Sequence, residues 1–160
     1  MAQEQKIILS GFARVQVAED GRIVGDSGWF KNLITDFGLD NCIGQGIVGG
    51  GTQVSALALG EGTAPASDDG TAALDGEVMS STARQAHTGG VTSDSDGVTV
   101  QFLASFSSDD RSATYDIANI GLMSNTSGTG MMAGQTYAST KVDTNQDVYA
   151  SYEWQFATTT

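Results

Sequence analysis

The sequence predicts an all-β fold, an antiparallel two-sheet β-sandwich of jelly-roll-like character with one short helix. Three observations carry this expectation. Apolar and polar residues alternate along several segments spaced roughly ten residues apart. The chain holds 21 glycines and 33 serines and threonines but a single proline, a composition suited to short extended segments joined by turns. Only one stretch carries helical spacing.

In the first strand Ile7, Leu9, Gly11, Ala13, Val15 and Val17 occupy alternate positions, with Arg14 and Gln16 between them, the period of two expected when one sheet face is buried. Asp20-Gly21 tolerates positive φ and turns the chain into Arg22-Ile23-Val24, so the two runs read as a hairpin leading toward Trp29 and Phe30. From Lys31 to Ile43 the apolar residues Leu33, Ile34, Phe37 and Leu39 fall at helical spacing, and Gly44 offers a stop. Glycines at 44, 46, 49, 50 and 51 then form a mobile or tightly turned segment before strand character returns over 54–59.

Residues 60–76 hold the only proline, Pro65, with Asp68, Asp69 and Asp75, and lack apolar periodicity; they read as a long surface loop. A strand is expected over 77–85, an acidic turn at Asp94-Ser95-Asp96-Gly97, and a strand whose face is Val98, Val100, Phe102, Ala104 and Phe106. Further strands follow over 113–124, 131–140 and around Val148, Ala150, Tyr152, Trp154 and Phe156, with Tyr149, Ser151, Glu153 and Gln155 on the other side of the last. That makes seven to nine strands in one domain spanning 1–160, with no repeat of fixed period.

Composition narrows function. Seven basic against 19 acidic residues give a net charge of −12, which repels phosphate backbones and anionic headgroups, so neither nucleic acid nor membrane is an expected partner. Cys42 stands alone and cannot form an internal disulfide or a multi-thiolate metal site; a reducing cytoplasm suits the chain. No signal-peptide h-region and no apolar run of membrane-spanning length is present in the sequence.

Each chemical motif has a plainer account. Gly44-Gln45-Gly46-Ile47-Val48-Gly49 carries the letters of a dinucleotide fingerprint, but it follows a helix and precedes a strand, so no helix N-terminus faces a phosphate. Asp94, Asp96 and Gly97 resemble the middle of a calcium loop, yet Thr92 and Leu103 stand where that register needs acids, and a solvated turn accounts for them. Asp68-Asp69 and Asp109-Asp110 are adjacent loop acids that leave a weak calcium site open as an alternative. His87 is the one ready general base, without a nucleophile at a recognisable spacing, and reads as a structural histidine; Cys42 reads as a small buried group. No catalytic residue, cofactor or metal is therefore expected. Trp29, Phe30, Tyr137 and Tyr149 are aromatics of uncertain facing, suited to a partner interface or to sugar stacking, and with Pro65, Asp68 and Asp69 they form the expected interface set.

Three segments resemble a known group of proteins. Lys31-Asn32-Leu33-Ile34-Thr35-Asp36-Phe37-Gly38-Leu39, then Leu57-Ala58-Leu59-Gly60-Glu61-Gly62-Thr63-Ala64-Pro65 with Thr71-Ala72-Ala73-Leu74-Asp75-Gly76-Glu77-Val78, and later Ala113-Thr114-Tyr115-Asp116-Ile117-Ala118-Asn119-Ile120-Gly121-Leu122 are similar, in order over residues 30–125, to segments of tailed-bacteriophage structural proteins, including tail-collar and tail-fibre N-terminal regions. Asn119 stands where those proteins carry glutamate. The resemblance implies a virion protein made in the bacterial host cytoplasm. A chain this small, lacking a fibre shaft or tip, looks more like a capsid decoration or cement protein, with a tail, collar or fibre component as the alternative. The partners implied are copies of itself, as a trimer, and the major capsid protein or tail and neck proteins. A glycan- or calcium-dependent binding module is the rival of another class. In this reading residues 61–76 and 44–51 are adaptable parts that grip neighbours, and a chain trimmed of 61–76 stays folded but no longer joins its assembly.

Overall fold

The computed structural model describes residues 6–68, 73–78, 84–93, 95, 97–110 and 113–159. The strands among them form two six-stranded antiparallel sheets. The first sheet runs β2 (Arg22–Asp26), β1 (Lys6–Glu19), β12 (Gln146–Thr159), β9 (Gly97–Phe106), β8 (Thr88–Ser93), with β3 (Phe30–Lys31) also on β1. The second runs β4 (Leu33–Ile34), β11 (Met131–Val142), β10 (Tyr115–Met123), β5 (Ala56–Gly60), β6 (Glu77–Val78), with β7 (Arg84–Ala86) also on β5. The all-β sandwich expected from alternation is what forms.

β1 and β12, each 14 residues, pair along their whole length from Lys6 opposite Thr159 to Glu19 opposite Gln146. Their alternation puts Ala13, Val15 and Val17 in rows with Tyr152, Ala150 and Val148, and β9 adds Phe102, Ala104 and Phe106 to the same rows. These side chains meet Leu57, Leu59, Ile117, Ile120, Leu122 and Met132 of the second sheet in one core. Tyr152, wholly buried, donates its hydroxyl to the Ile120 carbonyl at 2.9 Å, which ties the sheets together, and burial pushes its phenol far above the usual range. Asp20 (φ 49°) and Gly21 (φ 76°) make the predicted turn, in the left-handed region such hairpins need.

Three expectations need correction. The helix does not begin at Lys31: Leu33–Ile34 is strand, and the helical run covers 36–47, π-helical over Gly38–Gly44 and α-helical over Gln45–Ile47. Thr35 sets that start, because its hydroxyl accepts from the Gly38 amide while donating to the Met131 carbonyl. Gly44 continues the run at φ −60°, and the left-handed residue comes later, at Gly49 (φ 85°). The strand expected over 77–85 is two short pieces, β6 and β7, with 79–83 outside the described residues. β8 was not legible at all, since Gly89-Gly90 breaks its alternation and all six of its residues are exposed.

The long loop is held at several points. Its described part is anchored to the second sheet. Asn119, wholly buried in β10, donates to the carbonyls of Thr63 (3.0 Å) and Asp75 (2.8 Å). Asp75 accepts from both the amide and the hydroxyl of Thr63, each at 2.8 Å, and these bonds hold its carboxyl below the ordinary value. Glu61 accepts the Asp116 amide at 2.8 Å, and the Ser67 carbonyl accepts the Asp36 amide at 2.8 Å. Leu74 is buried against Ala58, Met123 and Met131, so this loop covers a second small core on the outer side of the sheet. Trimming 61–76 would uncover it, and the trimmed chain is no clean test of docking. The glycine segment is tightly turned: Gly49 and Gly50 amides donate to the carbonyls of Gly46 (3.2 Å) and Gln45 (3.0 Å).

Candidate functional site: the bare face of the first sheet

The two sheets differ on their outer sides. The outer side of the second is covered by its own loop, with Leu74 over Gly121 and Pro65 over Gly134, where a Cβ would come within 3.2 and 2.8 Å of those side chains. The outer side of the first sheet carries no such cover among the described residues. Its side chains follow from the out-of-phase positions of the same alternating strands. One row runs Asp26, Gln16, Tyr149, Ser105; the next Arg14, Ser151, Leu103, Thr88; the next Lys31, Phe12, Glu153, Gln101, Gly90; the next Ser10, Gln155, Thr99, Thr92.

Over these rows the charges are two of each sign, Arg14 and Lys31 against Asp26 and Glu153, on a chain of net charge −12. Arg14 and Asp26 compensate each other. Arg14 clamps Asp26 through Nε (2.9 Å) and Nη2, while Gln16 (3.0 Å) and the Gly28 amide (2.8 Å) donate to the same carboxylate. The Arg14 bonds hold the Asp26 carboxyl well below the usual carboxylate range, and the guanidinium is raised in turn. Glu153 accepts from Gln101 (3.0 Å) and Gln155 (3.4 Å). The guanidinium of Arg14 lies 6.0 Å from the centre of the Trp29 ring, which fixes a ring that is 44% exposed. Trp29, Leu103 and Tyr149 thus stand among uncharged polar groups and the paired Arg14 and Asp26, with Phe12 between Lys31 and Glu153, a mixture suited to an interface, where aromatic and Arg side chains are enriched.

Of the expected interface residues, Trp29 and Tyr149 belong to this face. Phe30 and Tyr137 lie on the inner side and stack on each other, rings 5.4 Å apart and inclined by 23°, bridging the two sheets; burial pushes the Tyr137 phenol up. Pro65 packs on Gly134 under the loop, Asp68 is exposed, and Asp69 lies outside the described residues. Arg14, Asp26, Phe12 and Leu103 were missed, although the in-between positions of β1 and β9 carried the signal.

The other sequence candidates are placed as follows. His87 joins β7 to β8, with Nε2 3.0 Å from the Val54 carbonyl and its ring edge-on to Phe102 at 5.2 Å. Cys42 is half-buried, and desolvation pushes its thiol up, away from thiolate chemistry. The glycines of the fingerprint-like run sit at the end of the helical run, where no dipole favours phosphate. Among the described residues no group of three or more His, Cys, Asp or Glu is placed to hold a metal ion, and Asp94 and Asp96 lie outside them. No described helix is long and apolar enough to cross a membrane. No family model matches the chain, and no curated protein or solved structure matches it.

Proposed function

We propose that this chain is a non-catalytic building block of a tailed-bacteriophage virion, a decoration or cement protein that stabilises the capsid shell by many symmetric contacts. One observation carries the adhesive part of this reading: on an acidic protein, one sheet face is left bare, with charges of both signs in equal number and with aromatics, one of them beside Arg14, while part of the opposite outer side is covered by the chain's own loop. A surface of that kind loses little on desolvation and meets a partner without repulsion. Repeated at symmetric sites on a shell, modest contacts add through multivalency, and no chemistry is needed. The virion part is supported by the ordered resemblance over residues 30–125. Because that resemblance includes collar and fibre regions, a tail, collar or fibre component is the second reading.

The test is addition of the purified protein to shells and to tails of the phage whose genome encodes it, each prepared without this protein. Saturable co-sedimentation with shells, and shells that survive higher temperature, is the expected result. Binding to tails alone selects the second reading, and binding to neither overturns both. The coding neighbourhood gives an independent check: a place beside the major shell gene is expected for a decoration protein.

A further inference from the structure

We propose that two copies of this chain join edge to edge through β8, antiparallel, so that the first sheet runs unbroken across a two-fold axis. This gives the self-association implied by the resemblance a two-fold form in place of a trimer, and its test needs neither shell nor tail, so it and the proposed function can fail separately.

Edge strands present unpaired main-chain N–H and C=O groups, and natural sheets blunt them with charge, bulges, proline or brevity. Three of the four edge positions here are blunted. β2 carries Arg22 and Asp26 and meets β1 at a register shift beside Val17 and Ala18. β4 has two residues; the far edge of the second sheet is split between β6, two residues with Glu77, and β7, three residues with Arg84. β8 has none of these devices. Thr88-Gly89-Gly90-Val91-Thr92-Ser93 is six residues long, uncharged, free of proline, exposed throughout, and in unbroken register with β9 from Leu103 to Val98.

Its two glycines differ in what demands them. A Cβ on Gly89 would strike the Gln101 carbonyl oxygen at 1.9 Å, so close approach to β9 requires that glycine. A Cβ on Gly90 would meet nothing within 4 Å, and Gly90 has no positive φ. The fold does not need it. A glycine inside a strand with no internal demand marks a place where another backbone comes close.

The occupant follows from charge. Two copies at −12 repel one another at most approaches, and β8 contains none of the 26 acidic and basic residues, so it is an edge at which copies can meet with little cost. Asp94 and Asp96 follow β8 directly in the sequence. Antiparallel pairing keeps the Ser93 ends of the two strands, from which the sequence runs on into these acids, at opposite ends of the new ladder, whereas parallel pairing would set those ends side by side. An antiparallel two-fold also keeps the faces in phase, which requires a register centred on Gly90 or Val91 and joins the two bare faces into one surface. Val91, 66% exposed in the single chain, lies beside the axis in either register.

The experiment combines sedimentation over a range of protein concentrations with amide exchange of residues 88–93. The wild-type chain is expected to sediment as a dimer at high concentration, with all six amides protected together and losing protection on dilution. In Val91→Glu, which places carboxylates near the axis at an exposed site, the dimer is expected to weaken at least tenfold with an unchanged circular dichroism spectrum. A monomer or trimer at all concentrations, fast exchange at every second amide of β8 in concentrated wild-type protein, or a dimer untouched by Val91→Glu would each overturn the proposal. The exchange pattern of the wild type decides even if the variant fails to fold.

Discussion

The side-chain amide of Asn119 donates to the main-chain carbonyl of Asp75 at 2.8 Å from a wholly buried position in β10, and a second bond from the same nitrogen reaches Thr63 at 3.0 Å. One residue thus holds both ends of the described loop. An ionised glutamate at this position would have no proton to donate to the two carbonyls. Asn119→Ala should therefore cost about 2 kcal/mol, the penalty of leaving buried carbonyls unpaired. Leu74→Ala should cost about 3 kcal/mol by opening a cavity over Ala58, Met123 and Met131. Chemical denaturation measures both, and because the sites share the loop the double variant should cost less than the sum.

Arg84 is buried at 7% exposure and spends its donors on Glu77 (2.9 and 3.0 Å), on the Asn125 carbonyl (3.2 Å) and side chain (2.8 Å), and on the Gly128 carbonyl. It fastens β6 and the turn between β10 and β11 to β7. Arg84→Ala should destabilise by roughly 3–5 kcal/mol, since it strands the Glu77 carboxylate as well as the carbonyls. Arg84→Lys should recover only part of this, because a point charge cannot make the two-pronged bond.

Glycines at 38 and 46 give a paired test of the helical run. A Cβ at Gly38 would fall 2.2 Å from the Met132 carbonyl oxygen, so Gly38→Ala should lower stability by about 1–3 kcal/mol through overpacking. Gly46 has nothing within 4 Å, and Gly46→Ala should raise stability by up to about 1 kcal/mol through helix propensity. Thermal melts of the two variants should shift in opposite directions.

Asp26 predicts a pH dependence. Its carboxyl is held below the ordinary value by Arg14 in the folded state, so its contribution is complete above the unfolded carboxylate pKa of about 4 and is lost as pH falls below it. Because the pair is partly exposed, the contribution should stay under about 1 kcal/mol. Asp26→Asn should flatten this part of the stability profile below about pH 4. It should also change the fluorescence of Trp29, whose ring lies against the Arg14 guanidinium, and leave buried Trp154 as it was.

The sandwich was readable because burial on one face forces a period of two on β1, β9 and β12, and a hairpin turn such as Asp20-Gly21 announces itself by its residues. β8 was not readable, since an edge exposed on both sides imposes no pattern on its side chains. The loop anchored by Asn119 and Leu74 was hidden for another reason: its bonds join residues 44 and 56 positions apart, and nothing local marks them. Trp29 and Tyr149 stand out in the sequence as aromatics, but only the strand registers, with the contact between Arg14 and Trp29, show that they share a face with Arg14, Phe12 and Leu103.

The central claim, that the bare face is where this chain adheres, is tested most directly by hydroxyl-radical labelling of the chain free and bound to the particle that it joins. Labelling of Trp29, Tyr149, Phe12 and Leu103 should fall several-fold on binding, while the exposed loop residue Asp68 and buried Trp154 keep their free-state levels. Unchanged labelling of those four residues in the bound state, with protection appearing over the loop instead, would contradict it.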